Sequence, residues 1–97
     1  MDIKISRRVA AKLKDKHGVS TAEVVECFAN RHGKFFTDTR QVHQTDPPTY
    51  WFVAETDRRR VLKIVFVRYP KFFAIKSAFD RKDGSAQLYE HLMERES

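Results

Sequence analysis

A chain of 97 residues has room for one hydrophobic core and not for two, so residues 1–97 are read as a single domain. Its 19 Lys and Arg against 13 Asp and Glu leave a net charge of +6, which favours polyanionic partners, nucleic acid foremost. A single cysteine excludes an internal disulfide, and no apolar run approaches the ~20 residues of a membrane span or forms a signal-peptide core, so the expected setting is the reducing cytoplasm.

The first expected element is a helix capped by Ser6 and running to about His17, with Val9 and Leu13 on its inner face and Gly18 as a left-handed stop. His17, in the last turn, has a favourable interaction with the helix dipole. A second helix opens in "GVSTAEVVECFANRHG", where Ser20 lies three residues before Glu23, the spacing of a capping box. Val24, Val25 and Phe28 form its expected apolar stripe, and Cys27 reads as a structural thiol among apolar neighbours. Neither helix is long enough to stand alone, so both must pack on a sheet. Four largely antiparallel strands are predicted from "KFFTD", "TYWFVAET", "RVLKIVFVRYP" and "FFAIKSAFD", all rich in aromatic and β-branched residues. Pro47 and Pro48 hold the approach to the second of these strands extended. "DRKDGSAQLYEHLMERES" closes the chain as a third helix, with Leu88 and Leu92 turned inward. The expected class is α+β: two N-terminal helices, a four-stranded mainly antiparallel sheet and a C-terminal helix.

Alternation divides the sheet into two faces. Leu62, Ile64, Phe66, Phe73, Ile75 and Phe79 form the expected core face. The opposite set carries Trp51, Glu55, Lys63, Lys76 and Ala78 among aliphatics and reads as a groove.

The histidines at 17, 32, 43 and 91 lack zinc-ligand spacing, and three scattered glycines make no phosphate loop, so neither metal nor cofactor is expected. RNA can be cut without either, because its 2′-hydroxyl attacks the adjacent phosphate once a base takes the proton, cations hold the added charge and an acid protonates the leaving oxygen. Glu55 or His43 would exchange protons, and Lys63 with Arg40 or Arg68 would hold the phosphorane. Trp51 or Tyr50 would stack a base, with Arg58, Arg59 and Lys76 as further phosphate contacts. Plainer roles stay open beside these. Glu55 and Lys63 also suit a cross-strand ion pair, Lys63 a stem lying over apolar surface, His43 an exposed loop, Arg58, Arg59 and Arg60 a solvated turn before a phosphate contact, and Trp51 the core.

"KHGVSTAEVVECFAN", then "FFTDTR", a strand hairpin and "FAIKSAF" before a final helix, together resemble the BrnT-like branch of the RelE/ParE toxin superfamily, small basic ribonucleases of bacterial toxin–antitoxin pairs. "TDPPTYWFVAETD" and "LKIVFV" also resemble short bacterial proteins labelled ADP-ribosyl-(dinitrogen reductase) hydrolases. The toxin resemblance implies a RelE-like sheet preceded by two helices, an RNA target and a cognate antitoxin partner. Proteins of that branch tend to carry an arginine after a Ser-Ala pair in the last strand, whereas here Phe79 follows Ser77 and Ala78. The leading expectation is a metal-independent ribonuclease of a type II toxin–antitoxin system acting on mRNA. A non-catalytic nucleic-acid or nucleoprotein binding module, favoured by Phe79, and a hydrolase acting on ADP-ribose or a related nucleotide are the alternatives.

Overall fold

The computed structural model describes residues 2–37 and 47–80. Arg40, His43 and the segment 81–97 expected to form the closing helix lie outside them.

Helix α1 (Arg7–His17) begins where the Ser6 hydroxyl accepts from the Val9 N–H at 3.2 Å. It ends at Gly18, whose φ of 62° is the left-handed conformation that glycine takes without a Cβ clash. There the Gly18 N–H donates to Lys14 and the Val19 N–H to Leu13, which turns the buried Val19 back onto the core. Helix α2 (Thr21–Asn30) has the expected reciprocal box: the Ser20 hydroxyl accepts from the Glu23 N–H and the Glu23 carboxylate from the Ser20 N–H, at 3.1 and 3.0 Å. Its inner face is Val24, Cys27 and Phe28. Val25 lies one residue, or about 100°, round the helix from Val24 and is 49% exposed, which corrects the expected stripe.

Among the described residues the sheet has five strands, not four: β1 (Asp2–Lys4), β2 (Phe36–Thr37), β3 (Thr49–Glu55), β4 (Val61–Arg68) and β5 (Phe72–Asp80), in the order β1-β5-β4-β3-β2. The overlooked strand is β1, which pairs parallel to β5 with Ile3 opposite Phe73 and makes the sheet mixed. Three residues with one apolar side chain carry no alternation to read. Five residues, 56–60, join β3 to β4, and the Thr56 N–H donates to the Arg60 carbonyl at 2.8 Å. The Arg59 N–H closes a turn onto the Thr56 carbonyl, and Arg59 itself is left-handed at φ 65°, the pattern of a type I turn followed by a bulge.

Both helices lie on one face of the sheet. The core between them joins Leu13, Val24 and Cys27 to Phe52, Ala54, Leu62, Ile64, Phe66, Phe73, Ile75 and Ala78. The last of these corrects the expected facing. Pairing of β4 with β5 steps from Phe66↔Ile75 to Val65↔Ser77, so Lys76 has no counterpart on β4. That extra residue inverts the alternation beyond it. Ala78 therefore enters the core, while Phe79 pairs with Lys63 and sets its ring 4.8 Å from that of His17. Lys76 leaves the expected groove and is exposed. Central strand β4 is buried on both faces, with Lys63, Val65 and Val67 at 1%, 4% and 5% exposure. Among the described residues no helix is long and apolar enough to cross a membrane.

Candidate nucleic-acid interface

Pairing of β2 with β3 sets Phe36 opposite Trp51, and their rings stack at 4.7 Å with an interplanar angle of 24°. From β4, on the other side of β3, the Lys63 ammonium reaches to 4.2 Å from the Trp51 ring. Trp51 is thus half-buried between a phenyl ring and a cation, and the accessible aromatic surface belongs to Phe36, 55% exposed. The sequence reading placed the stacking role on Trp51 or Tyr50. Tyr50 instead lies over Phe66 at 5.9 Å, on the helix-covered side. The signal that points to Phe36 was present in "KFFTD": adjacent strand residues face opposite ways, and Phe35 is the one that packs among Phe28, Phe52, Phe66 and Phe73. The Trp51 Nε1 atom is the one buried side-chain polar atom without a hydrogen bond among the described residues.

Lys63 is brought to Trp51 as expected, but at 1% exposure it does not face solvent, which corrects its placement in an open groove. A desolvated ammonium over an indole is a strong cation–π contact, worth about 2 kcal/mol. Glu55 is exposed at the far end of β3, opposite Val61 and one diagonal step from Lys63. It opens instead onto a cleft of about 530 Å³ shared with Asn30, His32, Val53 and Thr56. The Asn30 amide fixes that wall by donating to the Glu55 carbonyl at 3.1 Å and to the Asp57 carboxylate at 2.9 Å. The Asp57 N–H in turn donates to Glu26. Sequence reasoning passed over His32, because it lies 23 residues from Glu55 and only the packing of α2 against β3 brings them to one cleft.

The three arginines of the β3–β4 turn divide sharply. Arg58 and Arg59 are exposed at its tip. Arg60 donates to Asp80 at 2.6 Å, to Glu23 at 3.1 Å and to the carbonyls of Gly18 and His17. Burial pushes the Glu23 carboxyl up, but the Ser20 N–H and the Arg60 guanidinium together outweigh it and hold Glu23 below the ordinary carboxylate range. Arg68 is exposed at the end of β4, its guanidinium 6.0 Å from the Tyr50 and Phe73 rings. Cys27 is fully buried with its thiol toward the Ala54 carbonyl, and burial, then Glu23 and Glu26, push it up to about 12, so it is a neutral, inert thiol at pH 7. Among the described residues no three His, Cys, Asp or Glu side chains converge as metal ligands.

No protein-family model matches the chain, and no curated protein matches it. The features above define a basic α+β domain with an outward aromatic ring at one sheet edge and a polar cleft beside it.

Proposed function

We propose that the domain binds single-stranded RNA without cutting it, stacking an unpaired base on Phe36. The observation that carries this reading is the Phe36 ring, exposed on one side and backed on the other by Trp51 and Lys63, in a chain of net charge +6. An aromatic platform on a basic protein accepts any base, because every base has a π-face. Burial of Lys63 speaks against its having a direct part in cleavage, since a buried ammonium cannot meet a phosphorane. Phe36→Ala is expected to weaken binding of an unstructured RNA oligonucleotide by about 1–3 kcal/mol, or roughly five- to 150-fold in Kd. Titration by fluorescence anisotropy checks this. Equal affinity of the variant and the wild type would remove the platform from the interface.

A second reading, metal-independent ribonuclease action of the toxin kind, is favoured by one observation: Glu55 and His32 open onto the same cleft, of a size that admits a nucleotide. One would take the 2′-hydroxyl proton and the other would protonate the departing 5′-oxygen. A cognate antitoxin and a cytoplasmic setting belong to this reading. Incubation with RNA in EDTA decides between the two. Cleavage that Glu55→Gln or His32→Gln abolishes establishes the second; intact RNA, bound with strong salt dependence, sustains the first.

A further inference from the structure

Helix α1 carries a row of cations that the sheet-face platform does not use. Arg8, Lys12 and Lys16 recur every fourth residue, so their side chains lie along one side of the helix at steps of about 6 Å. Strand β5 adds a fourth: the bulge that leaves Lys76 without a partner on β4 turns its carbonyl to the Lys12 ammonium, 2.9 Å away. Like charges four residues apart destabilise a helix, and Arg7 and Arg8 sit in its first turn, where the dipole disfavours cations and no acid offsets them. The helix has one acid, Asp15, which makes no ion pair among the described residues. The cations also feel one another: burial first, then Lys16, Lys76 and Arg8, hold the Lys12 ammonium below its ordinary range. Three of these cations lie on α1, where their mutual repulsion costs the helix, and with Lys76 of β5 they are arranged to receive a polyanion.

We propose that Arg8, Lys12, Lys16 and Lys76 form a second nucleic-acid surface, which grips the phosphate backbone of a double-helical stem. The eight-residue span from Arg8 to Lys16 is about 12 Å. One strand of a B-form duplex presents a phosphate every ~3.4 Å along its axis, so the row spans about three to four of them. A straight, rigid row fits a regular line of phosphates, whereas a flexible single strand has no such line to offer. The surface lies over β5, at the opposite side of the sheet from Phe36, and its success or failure is separable from that of the aromatic platform.

The test measures binding of a blunt B-form DNA duplex across a salt series. Each phosphate contact contributes about 0.9 to the slope of log K against log salt. Arg8→Gln with Lys16→Gln is therefore expected to lower that slope by about 2 and to weaken binding roughly ten- to thirtyfold at 0.15 M salt. Arg7→Gln with Lys14→Gln removes the same charge from another side of the same helix and is expected to change the slope by less than half as much. Thermal melting of each pair confirms folding, and single Lys16→Gln repeats the measurement should a pair unfold. An unchanged slope in the Arg8 and Lys16 pair, or an equal change in both pairs, overturns the proposal, the second showing that net charge alone acts. Loss of binding to phosphatidylserine vesicles with duplex affinity intact overturns it too, in favour of a lipid surface. Phe36→Ala, read on the same duplex, is expected to bind as wild type. If Phe36→Ala also leaves single-stranded binding intact while the row variants lose the duplex, the platform fails and the row stands.

Discussion

Arg59 and Arg60 are adjacent and identical in chemistry, yet one is a solvated turn residue with a left-handed backbone and the other ties β4 to the α1–α2 junction and to the end of β5. The difference lies in what surrounds them. Arg60 has two carboxylates and two carbonyls within reach, a fork geometry that guanidinium fills and ammonium does not. Because the folded Glu23 carboxyl is held below its unfolded value, its contribution to stability is present above the ordinary carboxylate pKa and is lost as pH falls through the lowered one. Wild type is thus expected to melt above Glu23→Gln at pH 7, with the gap closing as pH drops below about 4; calorimetry at stepped pH checks it. A gap that is constant across pH would mean that Glu23 acts by shape alone. The capping box that Glu23 forms was legible in the sequence, because its partner is three residues away. Its bond to Arg60 was not, since 37 residues separate them and only the finished fold closes that distance.

At the scale of elements, what could be read was whatever repeats locally. Ser6, Gly18 and Ser20 set three helix ends correctly, and the strands β3, β4 and β5 were found from composition and alternation. What escaped was whatever breaks the repeat. Strand β1 is too short to alternate, and the step at Lys76 shifts the phase of β5 midway, which is why Phe79 was assigned to the core in place of Ala78. Strand β4 was read as having one open face because its outward positions mix Lys63 with valines, although that face is buried too. The aromatic cluster behind it has its centre at Phe66, fully buried, with Phe35 and Phe73 ring centres within 5 Å and Phe28 at 5.4 Å. Phe66→Ala empties that centre and is expected to cost about 3–5 kcal/mol in urea denaturation. Val25→Ala, on the exposed side of α2, is expected to stay within about 0.5 kcal/mol. Similar losses from both would mean that the cluster relaxes to fill the space.

At the scale of the whole molecule, composition reveals an excess of positive charge but not its distribution. The structure sorts the cations by fate: Lys63 lies under the sheet face, Arg60 is consumed by internal bonds, Arg58 and Arg59 stand at a turn, and Arg8, Lys12, Lys16 and Lys76 gather along α1. The candidate site was legible only as a strand, β3, and not as a set of contacts. Glu55 and Trp51 do lie on β3, but the exposed ring beside Trp51 comes from β2 and the histidine beside Glu55 from the segment after α2. With the platform at β2 and the cation row at β5, the two proposed surfaces share no side chain, and their effects on a stem with an unpaired tail are expected to multiply. Phe36→Ala combined with Arg8→Gln and Lys16→Gln should match the product of the separate losses to within about twofold. A triple variant no weaker than the worse of its parents would place both changes on one surface.

The unmatched residue at Lys76 gives β5 one residue of slack. Its two halves, Phe72–Ile75 and Ser77–Asp80, each keep their own phase against β4, and the residue between them answers to neither. Removing Lys76 would close the ladder without turning any core side chain outward, whereas removing a residue from the middle of β4, which has no such reserve, would invert half of it. Among the described strands, tolerance of length change is therefore concentrated at a single position, and that position also holds the carbonyl that receives the Lys12 ammonium of α1.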